Sequence, residues 1–483
     1  MVQGANRGND RDAADSTPEV EKELDEAGLQ LSPSTGAEGS STSPDVAHQD
    51  PHDWITLIYE EYLGGESVAG SNLANSSALE VMPEDRASDD ISLEGAVSLP
   101  STALGHLAGI SPQSLVDWTV GERHLLNHFL QSVSRSLVVV KDDENPFIGI
   151  VVPMALGNDA VRHALTALSA CHLARIYPEF ERNVLRHRSH ALDRLKSKSG
   201  SGPATSSTLA ATLLLCLLEI CEGGSRRWLL YLQGARAILS DMRLLNPDKT
   251  LRFFIDLHDY LCCVGSVTQA TVPHPLSQSM GVMDVGPSGM HPLFGFGSDL
   301  YLCLARINQL DIRLEDNSLL LDGESCRDIQ AEARAIELAL QSWAPPDGDL
   351  SVNRDEAKAT AFAVQWAAML RLREVTPLQH CDGIDRNQRP IDYILSALSL
   401  IRSGSQAESH LLFPLLMAGV FATTKASRLT LDVRLNMMKT TIGFGHIASG
   451  HQLLDQVWRR ANKGEKWRWR DLVRLVAPGL ILF

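Results

Sequence analysis

Four histidines lie close together in the sequence and are the side chains best suited to metal chemistry. They are His163, His172, His187 and His190, and the last two are near neighbours on a helix surface if their segment is helical. A metal site would need a further carboxylate or thiolate converging on these rings, and no spacing along the chain indicates one. We therefore predict packed or surface histidines and assign no metal ligand.

The eight cysteines are the candidates for redox or nucleophilic chemistry. Cys262 and Cys263 are adjacent and so point to different sides of a helix, while Cys216 and Cys221 are five residues apart. The other four, Cys171, Cys303, Cys326 and Cys381, are also scattered through apolar, helix-like segments. This scatter is typical of reduced, buried thiols in a cytosolic or nuclear protein, because a secreted disulfide framework has regular loop spacings.

Two segments match the residue pattern of binding motifs but not the structural context that those motifs require. Gly443–Ala448 (GFGHIA) follows the pattern of a dinucleotide fingerprint, which requires a preceding strand, but residues 431–441 have a helical pattern. Lys466–Arg470 (KWRWR) interleaves aromatic and cationic residues, as in platforms that stack nucleic-acid bases. The amphipathic stretch that follows it, Asp471–Val476, favours instead a terminal helix docked on the body.

Common catalytic motifs are missing from the sequence. It contains no G-x-S-x-G elbow, no H-E-x-x-H and no G-x-x-x-x-G-K-[ST] loop. We therefore predict no catalytic residue, no cofactor and no enzymatic activity, and keep an enzyme with an unrecognised site only as an alternative.

The overall charge of the chain limits the partners that it can bind. Its 483 residues carry a formal net charge of −16, so the surface as a whole repels nucleic-acid phosphate. The N-terminus has no apolar signal segment, and the most apolar run, Leu209–Ile220, is too short to span a bilayer. We therefore expect no membrane association and no strong direct DNA binding by this chain alone.

The chain divides into two regions of different composition. Residues 1–115 are rich in Ser, Gly, Asp, Glu and Pro, and we predict a disordered leader because such a segment buries too little apolar surface to fold. Inside it, residues 53–63 (DWITLIYEEYL) mix acidic and large apolar side chains. This island is either a segment that folds on a partner or a short helix that packs back on the body.

Residues 116–483 have apolar side chains at helical spacing and no useful run of period-two alternation. Leu125, Phe129 and Val133 share one face of a helix predicted at residues 122–140, and Asn158 can cap the next one. Residues 208–221 are apolar nearly all round, which predicts a helix enclosed by others. Further helices are predicted at residues 182–197, 226–242, 251–269, 298–315, 323–343, 354–373, 389–402, 408–426, 430–460 and 465–475. The predicted fold class is therefore all-α, a large multi-helix array behind the leader.

Nine short pieces follow one another in a fixed order along residues 120–483, each of them generic by itself. They are Asn145–Phe147, Ala167–Ala174, Leu185–Ala191, Ala211–Cys221, Gly234–Leu239, Leu293–Leu300, Arg306–Leu310, Phe413–Gly419 and Leu453–Trp458. Their ordered co-occurrence resembles the regulatory domain of fungal zinc binuclear cluster transcription factors, the fungal-specific transcription factor domain family.

One departure from the family concerns the zinc cluster. The resemblance implies a regulator whose helical domain follows that cluster, which needs two C-x2-C-x6-C triplets, yet residues 1–170 contain no cysteine. Two explanations stay open: a complete chain recruited by a partner, or an upstream exon that encodes the triplets. We favour the complete, recruited chain, because the segment near Met1 shows no residual cysteine or basic run.

The resemblance predicts a nuclear transcriptional regulator, controlling a specific pathway such as a secondary-metabolite gene cluster. Its expected partners are proteins of the transcription machinery or a DNA-binding partner, and a homodimer is also expected to be accessible. The alternative is a helical domain that senses a small molecule in an apolar pocket and does not bind DNA directly. An apolar cavity would favour the sensor, and a closed core with an exposed helical seam would favour the partner-binding regulator.

Overall fold

The structure, a computed structural model, describes residues 55, 56, 58, 115–198, 205–242, 247–275, 288–316, 323–346, 352–376 and 386–483. All of them belong to one unit, which spans Gln49–Phe483. Across these ranges the chain forms fifteen α-helices and no strand, and a single isolated bridge joins His291 to Gly295. The predicted all-α class is therefore confirmed for the part of the chain that the structure describes.

Helices of several lengths follow one another along the described chain. In order they are α1 Val120–His128, α2 Val152–Gly157, α3 Asp159–Ala174, α4 Glu181–Lys198, α5 Ser206–Glu222, α6 Trp228–Asp241, α7 Lys249–Ser266, α8 Ser298–Asp316, α9 Gly323–Ser342, α10 Val352–Val375, α11 Gln388–Ser399, α12 Leu412–Phe421, α13 Lys425–Thr441, α14 Gly445–Asn462 and α15 Trp469–Val476. Two π-helical turns, Phe129–Val133 and Phe147–Val151, and three 3₁₀ turns, Ser134–Leu137, Pro178–Phe180 and Gln406–Leu411, complete the regular structure.

Polar side chains fix the starts of the first helices. Thr119 and Glu122 form a reciprocal capping box at α1: the Glu122 amide donates to Thr119 Oγ1, and the Thr119 amide donates to Glu122 Oε2 at 2.9 Å. Asn158 caps α3, as predicted, by accepting the amides of Ala160 and Val161 through its side-chain oxygen. Each cap satisfies backbone amides that have no partner inside the helix.

Helix α5 is the most enclosed element of the body. Every residue from Thr208 to Cys221 is buried, including Glu219, which confirms the prediction of a helix enclosed on all sides. Gly223 ends the helix with a φ of 76°, a conformation that side chains with a Cβ rarely adopt.

Three predicted helix boundaries were wrong. The helix predicted at 408–426 begins with a 3₁₀ turn and is interrupted at residues 422–424, between α12 and α13. The helix predicted at residues 122–140 stays α-helical only to His128 and continues through a π turn and a 3₁₀ turn, although its predicted inner face is buried. The helix predicted at 430–460 is two helices, α13 and α14, because Gly443 turns the chain with a φ of 76°.

The C-terminal segment is tied into the core by hydrogen bonds from distant helices. The Trp228 indole donates to the Gly479 carbonyl at 3.0 Å, and Thr268 Oγ1 donates to the Leu480 carbonyl at 2.7 Å. Trp469, the first residue of α15, is buried and donates to the Val267 carbonyl at 2.9 Å. The docked terminal helix predicted from the sequence is therefore confirmed.

The predicted leader falls almost entirely outside the described residues. Ile55 and Ile58 are the exceptions of interest, because both are buried and belong to the hydrophobic core of the body. This burial fits the interpretation of the acidic island, residues 53–63, as a segment that packs back on the body. The division at residues 115 and 116 stays a prediction. Among the described helices, none is both long and apolar enough to cross a membrane.

Candidate functional site

The fold brings three of the four histidines together and separates the fourth. His163 lies on α3, and His187 and His190 lie on α4; we call these three the histidine cluster. Their candidate ligand atoms all lie within 4.8 Å of one another. His172 lies elsewhere: its Nε2 donates to the Ile442 carbonyl, and its Nδ1 faces His128 Nε2 at 2.8 Å.

Burial sets the charge of the two inner rings of the histidine cluster. It is the largest cause that lowers the pKa of His163 to about 4, and the nearby His190 lowers it further. Burial likewise lowers the pKa of His187 to about 3, assisted by Arg186 and His163. Both rings are therefore neutral at pH 7, and their Nδ1 atoms lie 3.1 Å apart.

The cysteines that the structure describes in full are buried free thiols. Six of them, at positions 171, 216, 221, 262, 263 and 303, are buried, as predicted, and form no disulfide with one another. Burial raises the pKa of Cys171 to about 12 and raises those of Cys216 and Cys262 well above their usual range. A thiol held protonated in this way is a poor nucleophile.

One of these thiols belongs to a triad-like arrangement that the sequence analysis missed. Cys262 Sγ lies 3.6 Å from His258 Nε2, and His258 Nδ1 lies 3.0 Å from Asp259 Oδ1, the order of groups in a nucleophile–base–carboxylate relay. All three side chains are buried within α7, and none lines either cavity described below. Without access for a substrate the arrangement is structural. The i, i+4 spacing of His258 and Cys262 was the signal that could have found it.

The glycines of the fingerprint-like segment Gly443–Ala448 serve helix packing. A Cβ at Gly445 would lie 2.0 Å from the Glu222 carbonyl oxygen at the end of α5, so only glycine permits this approach. A Cβ at Gly443 would lie 3.1 Å from His172 Nε2. The preceding element is helix α13, not a strand, which removes the context that dinucleotide binding requires.

Two cavities bear on the choice between a sensor and a partner-binding regulator. The larger is an open cleft of about 480 Å³, lined by basic and acidic side chains that pair across it, Arg135 with Asp142 and Arg402 with Glu356. The smaller, beside Tyr301, is apolar but has a volume of only about 10 Å³. Neither cavity is the apolar pocket that the sensor alternative expected.

Helix α13 presents apolar side chains on two opposite faces. Leu431 and Leu435 face the core, whereas Leu429, Val433 and Met437 are 64%, 48% and 40% exposed. The exposed three are spaced four residues apart and so form one stripe along the outside of the helix, which we call the α13 seam. Four basic residues and one acidic residue lie on this helix, in a chain whose net charge is −16. The seam is therefore an exposed apolar stripe on a helix with more basic than acidic residues, of which Arg434 pairs with Glu408 and Arg428 with Asn462.

These features define the class of protein: an all-helical domain with an exposed apolar seam and a histidine–thiol relay that is buried among the described residues. The profile of the fungal-specific transcription factor domain matches residues 124–483, and the chain belongs to that family. The predicted resemblance is therefore confirmed.

One relative of known name adds to this assignment. The transcriptional activator protein UGA3 of Saccharomyces cerevisiae is 26% identical to the chain over 128 residues, which cover 24% of this chain and 24% of that protein. No solved structure matches the chain.

Proposed function

We propose that this chain is a nuclear transcriptional regulator, not an enzyme, and that it acts through protein partners bound by its helical body. The observation that carries the proposal is the family match, which spans nearly all of the described helices. The similarity to a yeast protein named as a transcriptional activator supports the same assignment. The buried, protonated thiols and the enclosed relay on α7 give no support to the enzyme alternative.

The partner surface that we propose is the α13 seam. Its side chains cross two turns of an exposed helix, a spacing that fits the apolar face of another helix. The basic residues along α13 favour an acidic segment, because opposite charges at the border of an interface speed association and fix orientation. The occupant is therefore an acidic, amphipathic segment of a transcription-machinery protein.

A tethered reporter assay tests this function. Fused to an unrelated DNA-binding domain, the chain is expected to change reporter expression severalfold relative to that domain alone. Leu429→Glu should abolish most of the change, because it places a charge in the apolar stripe. Leu338→Glu is the matched control, since Leu338 on α9 is 67% exposed but lies outside the seam. A fusion without any effect would refute the proposed function, and equal effects of the two variants would refute the seam.

We also propose that the regulation is specific to one pathway, such as a secondary-metabolite gene cluster. The support is the resemblance to regulators that commonly stand beside the biosynthetic genes they control. Deletion of the gene should change the transcripts of one group of adjacent genes, measured by RNA sequencing. Scattered changes across the genome without such a group would contradict this proposal.

A further inference from the structure

Two helices bring three imidazole side chains together on the described body, and a third helix places a carboxylate beside one of them. Helix α3 contributes His163, helix α4 contributes His187 and His190, and helix α1 contributes Glu122 from its capping box. Glu122 Oε1 lies 3.7 Å from His163 Nδ1, while Oε2 accepts the Thr119 amide and hydroxyl. One carboxylate oxygen is thus occupied by the helix cap, and the other faces the histidines.

The spacing of these atoms approaches the geometry of a tetrahedral metal site. Zinc binds imidazole nitrogen at about 2.0–2.1 Å, which puts two ligand nitrogens roughly 3.3 Å apart. His163 Nδ1 and His187 Nδ1 lie 3.1 Å apart, and a ligand atom of His190 lies within 4.8 Å of both rings. His190 is exposed, so its side chain can close the remaining distance by a small rotation.

Burial and neighbouring charges define the surroundings of the histidine cluster. His187 is 2% exposed; its Nδ1 faces His163, and its other ring nitrogen, Nε2, is buried without a hydrogen-bond partner among the residues that the structure describes. Arg162 Nε lies 3.8 Å from the same Glu122 Oε1 that faces His163, and its Nη2 pairs with Asp159 at 2.8 Å, so its charge is partly neutralised. A cation at the histidines would therefore face Glu122 and Asp159 as well as Arg162.

We propose that His163, His187 and His190, with Glu122 or water as fourth ligand, bind a divalent transition-metal ion of the zinc type. Imidazole and carboxylate suit zinc, and the exposed His190 gives the ion a route from solvent. Because the histidines come from α3 and α4, the bound ion adds a link between helices that already share the ion pair of Arg194 with Asp159, and α1 is tied to α3 by the Ser169 hydrogen bond to the Leu125 carbonyl. Metal occupancy then stabilises this end of the body.

A second group of potential ligands supplies a control. Asp432, His451 and Asp455 also lie within 4.8 Å of one another. This group has a single imidazole, that of His451, against three in the histidine cluster. This second group should not compete for zinc at low concentration.

The test uses the full chain, purified without a polyhistidine tag and stripped of metal by a chelating resin. Calorimetric titration with zinc sulfate should give one ion per chain with a micromolar or tighter Kd. His190→Gln should weaken the affinity at least about tenfold through loss of one ligand, without unfolding because the ring is exposed. His451→Gln should leave both stoichiometry and affinity unchanged. Cobalt(II) bound to the wild type should give the visible absorption of a four-coordinate site.

Several results would overturn the metal site. Failure of the wild type to bind zinc would do so, as would equal affinities of the wild type and His190→Gln. Loss of binding in His451→Gln would place the ion at the second group. An octahedral cobalt spectrum would show an ion held on the surface, whatever the variants do. None of these readouts depends on the reporter assay, so the metal site and the proposed function fail or stand separately.

Discussion

Leu214→Asp is expected to prevent stable folding of the helical body. Leu214 is 1% exposed, in the middle of a helix whose residues 208–221 are all buried. A carboxylate placed there has lost its hydration and gained no partner, a change that costs about 4 kcal/mol or more. Because domains are stabilised by only about 5–15 kcal/mol, most of the margin is lost.

Thermal unfolding followed by circular dichroism measures this effect. Leu185→Asp is the matched control, because Leu185 on α4 is 60% exposed and its replacement should change stability by no more than about 0.5 kcal/mol. If Leu214→Asp melted at the same temperature as Leu185→Asp, α5 would not be the centre of the core.

The enclosed position of α5 could be predicted from the sequence because it depends on side-chain chemistry alone. A helix that is apolar on every face has no polar side to expose to solvent, so other helices must surround it. The boundary near Gly443 could not be predicted in this way, because the apolar period continues across it while the backbone turns. The turn depends on the close approach of α14 to α5, where Gly445 meets Glu222, and this contact is set by tertiary packing.

The histidine cluster, like the turn at Gly443, could not be predicted from the sequence. The spacing of His187 and His190 was visible in the sequence, but His163 is 24 residues from His187, and Glu122 lies on yet another helix. Their convergence depends on the packing of α1, α3 and α4, which the hydrophobic pattern of each helix does not specify. Glu122 was not among the sequence candidates, because its capping box and its approach to His163 are both contacts that the structure shows.

A second large effect is expected from Asp311→Ala, because one carboxylate there serves two buried cations. Asp311 on α8 pairs with Arg371 of α10, which is 1% exposed, and with Arg470 of α15, whose Nε lies 2.6 Å away. Arg470 is itself 4% exposed. Removal of Asp311 leaves both guanidinium groups buried with less compensation, and breaking a buried pair in this way costs about 3–5 kcal/mol.

The loss of stability in Asp311→Ala should be concentrated where α15 contacts the rest of the body. Arg371 keeps Glu374 as a partner, whereas Arg470 keeps only the more distant Glu315, at 3.5 Å, and the Ser266 carbonyl. Hydrogen exchange in residues 469–476 should therefore accelerate more than exchange in α5, alongside a lower melting temperature.

Glu315→Ala provides the comparison, because Glu315 is 37% exposed and its contact with Arg470 is long. Its removal should cost no more than about 1 kcal/mol. Asp311→Asn should fall between the two, since the amide oxygen still accepts a hydrogen bond but carries no charge. If Asp311→Ala and Glu315→Ala had equal melting temperatures and equal exchange in residues 469–476, the terminal helix would be held by Trp469 and its apolar neighbours rather than by the shared carboxylate.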